Sequence, residues 1–155
     1  MLQLCYASTF VNHNDDLIED IRSILTTARA FNKQHEITGV LYYAQGKFFQ
    51  CLEGEPEQVE NLFQQILKDK RHTNIYRFPD NCIEKSNFKD WSMKYVQKNS
   101  EIKEYFLSIG CAAFQPHTLD KDQLKEVLNI LYSVNESKTP LPNQGYLQRG
   151  YTPYL

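Results

Sequence analysis

The chain has no run of about 18 apolar residues, so it offers no helix able to span a bilayer. It has no excess of either charge. Seventeen Lys and Arg stand against 19 Asp and Glu, a net charge of −2. That balance argues against a dedicated nucleic-acid binder and against a polybasic membrane anchor. The four cysteines (Cys5, Cys51, Cys82 and Cys111) form no CxxC pair and have no histidine at zinc spacing, so reduced structural thiols and no metal are expected. There is no Rossmann glycine pattern, and no base–nucleophile constellation can be assembled, so an enzyme is not expected. The first residues, Met1 to Tyr6, lack the basic and apolar regions of a signal peptide; a cytoplasmic location follows as an expectation. Repeats and low-complexity tracts are missing too.

The chain is rich in rings. Aromatics make up 13% of its 155 residues, with ten Tyr and nine Phe against one Trp. Such a count suits either a dense aromatic core or a pocket for a flat ligand. Hydrophobic residues at 41% are enough for a globular domain of about 100 residues with an appendage.

Period-two alternation of Leu2, Leu4 and Tyr6 predicts a first strand. Asn12 to Asp15 is turn chemistry, with Asn14 or Asp15 able to cap a helix over residues 16–32. Leu17, Ile21, Ile24, Leu25, Ala28 and Phe31 give that helix one apolar stripe. Val40 to Tyr43 and Phe48 to Leu52 read as a hairpin around Gln45-Gly46. A second helix opens at Pro56 and carries Val59, Leu62, Phe63, Ile66 and Leu67, with a basic cluster ending at His72 as its C-terminal charge. Residues 75–84 form an interrupted strand and residues 91–96 a fifth one. The order β-α-β-β-α-β-β is that of an α+β, ferredoxin-like sheet with two helices on one face. Ile102 to Ile109 and Asp122 to Val134 predict two further helices, and the Pro-, Gly- and Tyr-containing end an irregular tail. The expected division is 1–97 for the sheet domain, 98–136 for a helical extension and 137–155 for the tail.

Three polar side chains fall where the pattern asks for apolar ones. Asn32 lies on the first helix stripe, Gln50 shares a strand face with Phe48 and Leu52, and Tyr6 shares one with Leu2 and Leu4. A buried amide without partners costs about 1–3 kcal/mol, so Asn32 and Gln50 must be hydrogen-bonded. Any one of them could simply serve backbone groups or a neighbour; the three together make a bound polar heterocycle a serious competitor. Lys70, Arg71 and His72 could complement the helix dipole or meet the polar tail of the same ligand. Trp91 and Met93, two apart on the expected fifth strand, read as core residues.

These positions fall within a recognisable set of motifs. Leu4-Cys5-Tyr6-Ala7-Ser8, Ala30-Phe31-Asn32, Ile37-Thr38-Gly39-Val40-Leu41, Phe48-Phe49-Gln50-Cys51-Leu52-Glu53-Gly54, Asp69-Lys70-Arg71-His72 and Trp91-Ser92-Met93 occur in order. Together they resemble the BLUF domain, the blue-light sensor using FAD, over about residues 2–96, in a short form with no attached enzyme. The resemblance implies that FAD lies between the two helices, with Tyr6 and Gln50 as the photoactive pair and Asn32 on the pyrimidine edge of the ring. Ile24 and Ile66 would sandwich the ring. Ala28, Phe31, Phe48, Asp69, Arg71 and His72 would complete the cofactor site. Trp91 and Met93 would pass the signal to the fifth strand and onward to the C-terminal helices. Ala28 stands where the family often has serine, and Phe31 where some members carry histidine; Phe31 would act only as a flat wall. The expected receiver is a regulatory protein, with weak self-association compatible with the sequence. The competing readings are a flavin-dependent enzyme and a flavin-free ferredoxin-like binding module.

Overall fold

The computed structural model describes residues 1–11 and 17–138. The expected turn and cap at Asn12 to Asp15, and residues 139–155 of the expected tail, lie outside the described residues. Six strands form one sheet: β1 (Leu2–Phe10), β2 (Thr38–Ala44), β3 (Lys47–Gly54), β4 (His72–Arg77), β5 (Asn81–Cys82) and β6 (Lys94–Gln97). The spatial order is β4-β1-β3-β2-β6, with β5 also on β1; β2 and β6 run parallel and the other pairs antiparallel. The helices are α1 (Leu17–Gln34), α2 (Pro56–Ile66), α3 (Ser100–Ser108) and α4 (Lys121–Ser133). This is the expected α+β, ferredoxin-like arrangement.

Local chemistry accounts for these elements. Gln45 and Gly46 both take positive φ, 50° and 77°, as a two-residue hairpin turn between Ala44 and Lys47 requires. Gly39 is needed for a different reason: a Cβ there would come within 2.1 Å of the Cys51 carbonyl oxygen on the neighbouring strand. Pro56 starts α2, where a missing N–H is harmless. Asp120 and Gln123 close a reciprocal capping box at the start of α4.

Both faces of the sheet are covered, which is why β1, β2 and β3 are buried along nearly their whole length. Leu4, Leu41, Phe48 and Leu52 pack with Ile21, Leu25, Val59 and Phe63 beneath α1 and α2. Ala7, Tyr42, Phe49 and Cys51 point the other way and pack with Phe106, Val127 and Leu131 of α3 and α4. Polar groups on this second face are paired. Gln3 donates to the Tyr132 hydroxyl at 3.1 Å. Glu53 accepts the Asn87 amide N–H and, at 3.0 Å, its side-chain nitrogen. The Lys94 ammonium donates to the Leu131 carbonyl at 2.9 Å.

Three expectations need correction. The fifth strand begins at Lys94, not at Trp91, because residues 83–93 form a loop held from both sides by Glu53–Asn87 and Asn32–Ser92 bonds. Trp91 and Met93 therefore do not share a strand face: Trp91 is 37% exposed and Met93 is 1% exposed. Helix α2 ends at Ile66 with no basic residue in its last turn, and His72 already belongs to β4.

Candidate functional site

Tyr6 and Gln50 are direct cross-strand partners on β1 and β3, and Leu41 on β2 faces Gln50 from the other side. Side chains at such opposed positions stand close enough to touch. The Tyr6 hydroxyl donates to Oε1 of Gln50. Burial, assisted by the Asp69 carboxylate, pushes the Tyr6 phenol far above its ordinary value, so it keeps its proton and acts as the donor. That leaves the Gln50 amide nitrogen as donor, and it points at Sδ of Met93, 3.6 Å away. Sulfur is a weak acceptor, so the carboxamide is held firmly at its oxygen and loosely at its nitrogen.

The sheet face around this pair forms the floor of a cleft of about 180 Å³ between α1 and α2. Ile24, Thr27, Ala28 and Asn32 line it from α1, Leu62, Gln65 and Ile66 from α2, and Asp69, Arg71 and His72 from the segment that follows. Most of the lining is apolar, with a few convergent polar groups, as in sites for flat organic ligands.

Asn32 is fully buried. Its Nδ2 donates to the Ser92 carbonyl at 2.7 Å, but its Oδ1 has no partner among the described residues. An orphaned acceptor at the wall of a cleft fits a ligand N–H, since leaving it bare costs about 1–3 kcal/mol. Arg71 binds Asp69 through both carboxylate oxygens (2.6–3.1 Å) and reaches Ser23 on α1 at 3.0 Å. Burial works against ionisation of Asp69, but Arg71's hydrogen bonds and charge together outweigh it and hold the carboxyl below its ordinary range. His72 Nε2 donates to the Ile66 carbonyl at the end of α2 (2.8 Å), and Nδ1 meets Ser8 Oγ at 2.9 Å. The histidine thus tethers the last turn of α2 to β1.

The expected site residues Tyr6, Ile24, Ala28, Asn32, Phe48, Gln50, Ile66, Asp69, Arg71 and His72 all line this one cleft. Phe31 does not; its ring stacks on His35, just past the end of α1, at 3.9 Å between centroids. Met93 meets Gln50 through its sulfur, whereas Trp91 is half-exposed and does not line the cleft. Leu41, Thr27, Leu62, Gln65, Ser8 and Ser23 belong to the site or support it and were not expected. Ser8 was within reach of a period-two reading, since it follows Tyr6 by two and is fully buried.

A family model, described as sensors of blue light using FAD, matches residues 1–94. Among solved structures, the ground state of BlsA is 46% identical with a TM-score of 0.87, covering 94% of this chain and 97% of that one. Its photo-activated state is 49% identical with a TM-score of 0.85, covering 88% and 98%. The blue light- and temperature-regulated antirepressor BluF of Escherichia coli (strain K12) is 37% identical over 62 residues, 40% of this chain. The photoactivated adenylate cyclase subunit beta of Euglena gracilis is 43% identical over 56 residues, 36% of this chain. The matched segments span only 15% and 6% of the lengths of these last two proteins.

Proposed function

The chain belongs to the BLUF family and is a blue-light flavin sensor; we propose that its flavin is FAD, held in the cleft between α1 and α2, and that its output is a change in contact with a regulatory protein. The observation that carries the placement is the orphaned Oδ1 of Asn32 in the same, mostly apolar cleft as the Tyr6–Gln50 pair. Asn32 would hold an N–H of the ring edge, Ile24 and Ile66 would flank its faces, and Asp69, Arg71 and His72 would stand at its polar side.

A bound flavin supplies blue-light absorption and, once excited, a strong pull on electrons. The protein supplies the switch. Tyr6 offers an oxidisable phenol that keeps its proton, linked by one hydrogen bond to a carboxamide. Gln50 carries an acceptor and a donor on one group, so turning or tautomerising it reverses the polarity of the hydrogen bonds it makes. Its loosely held nitrogen end, on Met93, is the end free to change partner. Met93 lies one residue before β6, so a change at Gln50 is felt at the start of the edge strand. Residues 1–97 then act as the sensing unit and 98–136 as the transmitting one. A protein receiver in the cytoplasm, and a signal passed by contact instead of turnover, accord with a relative that is named an antirepressor.

The test is spectroscopic. The purified chain carries extractable FAD, and its visible absorption moves to longer wavelength under blue light and returns in the dark. Colourless protein that takes up no flavin on reconstitution would contradict the reading, as would yellow protein whose spectrum ignores light.

A further inference from the structure

β6 is an edge strand, paired with β2 on one side only. An edge presents unpaired N–H and C=O groups that invite another extended segment. In this chain those groups meet the residues that follow α4. The Tyr95 amide donates to Oε2 of Glu136 at 3.1 Å, the Tyr95 carbonyl accepts the Ser137 amide at 2.7 Å, and the Gln97 amide donates to Ser137 Oγ at 3.0 Å. Two of these three bonds use side-chain oxygens. Residues 136–137 therefore imitate a paired strand with one backbone bond in place of a ladder.

The imitation is tied to the photoactive pair. Arg29 on α1 donates through Nε to the Met93 carbonyl at 3.2 Å and through NH2 to Oε2 of Glu136 at 3.4 Å. The side chain of Met93 is the one that faces the Gln50 amide. The guanidinium of Arg29 thus stands beside the β6 edge, and the segment lying on that edge meets it with a carboxylate. The Arg29–Glu136 pair is partly exposed, and such pairs hold weakly.

We propose that the β6 edge is a docking strand for an extended segment of a partner protein that carries a carboxylate, covered in the dark by residues 136–137 as a stand-in, and that Arg29 is the positioning residue that passes a shift of Met93 to Glu136. The inference rests on the photosensor reading of Tyr6 and Gln50 and names the surface through which that sensor acts. The partner segment supplies hydrogen-bonding groups to Tyr95 and Gln97 and a carboxylate to Arg29, as the chain's own segment does.

The experiment uses the full-length, flavin-loaded protein and two readouts. One is residue-resolved amide exchange at Tyr95 and Gln97. The other is fluorescence anisotropy of a labelled peptide copying Ser133 to Lys138. In blue light the two amides exchange about tenfold faster than in the dark and the peptide binds about tenfold more tightly, a coupling of ordinary allosteric size. Glu136→Gln moves both dark values toward the lit ones with the red shift intact, and the peptide with Gln in place of its Glu loses the gain. Arg29→Ala abolishes the difference between lit and dark exchange, again with the red shift intact. Should Glu136→Gln fail to fold, Ser137→Ala serves instead and speeds exchange at Gln97 in the dark. Equal exchange and equal peptide binding in light and dark, with a normal red shift, overturn the docking strand and leave the photosensor standing. Loss of the red shift in the unaltered protein overturns the photosensor reading itself.

Discussion

The two faces of the sheet are built from the same strands but solve different problems. On the α3–α4 face the buried polar groups find partners within the chain: Glu53 with Asn87, Gln3 with Tyr132, Lys94 with Leu131. On the α1–α2 face the same kinds of group are left partly open. Asn32 keeps a bare oxygen, Gln50 rests its nitrogen on a sulfur, and the helices stand apart around a cleft. A face that satisfies its polar atoms internally serves packing; one that leaves them facing a cleft is prepared for a ligand. The alternation of β1 and β3 joins the two. Gln50 and Tyr6 look into the cleft while their neighbours Cys51 and Cys5 are buried under the C-terminal helices, where burial and the adjacent Cys5 thiol raise the Cys51 thiol well above its ordinary value.

Substitutions confined to one face sharpen this contrast. The largest effect is expected from Phe106→Ala, which empties a fully packed position on the α3–α4 face. It should cost about 4 kcal/mol in denaturant unfolding, as large-to-small core changes do, while the folded fraction keeps its flavin spectrum. A change in the light response larger than the stability loss would break the division of labour. Gly39→Ala acts between the faces. Its methyl would press on the Cys51 carbonyl and should cost about 3 kcal/mol, with β2 and β3 forced apart and flavin affinity falling alongside stability. Asn32→Ala belongs to the cleft face. Flavin affinity measured by fluorescence should fall about tenfold, since one ligand hydrogen bond contributes roughly 1.4 kcal/mol, while thermal unfolding of the flavin-free protein falls only by the loss of the single bond to Ser92. Unchanged flavin affinity would return Asn32 to a purely structural role.

The smallest effect concerns Glu53. Burial raises its carboxyl above the ordinary value even against the hydrogen bonds from Asn87 and Gln3. A raised carboxyl means the folded state prefers the proton. Its contribution to stability is therefore full below the ordinary carboxylate range and is lost as pH rises through the elevated value. Glu53→Gln should flatten this part of the stability–pH curve between acid and neutral, read by urea midpoints. An unaltered curve would mean that Glu53 is not the group responsible.

Much of the cleft face was legible in the sequence. Period-two spacing put Tyr6 and Gln50 on inward faces, and helical spacing put Asn32 on the buried stripe, because polar residues in apolar registers are conspicuous. What could not be read was what each surface packs against. The stripes of α3 and α4 announce that a side is buried without saying that it covers the far side of the sheet. That cover is why β1 and β3 bury both of their faces. Trp91 and Met93 looked equivalent because spacing assumes a continuing strand. The loop before β6 is shaped by Glu53 and Asn32, distant in sequence, and it turns one residue out and the other in. Phe31 left the site for a similar reason: its stacking partner His35 lies four residues on, a local alternative that periodicity does not weigh against a ligand.

The measurement that bears most directly on the central claim is the light-minus-dark absorption spectrum of the Gln50→Leu variant loaded with flavin. If the carboxamide joined to Tyr6 is the switch, the variant stays yellow and folded but shows no shift to longer wavelength under blue light. A shift of normal size and recovery in that variant would contradict the account, because the red-shifted state would then form without the amide.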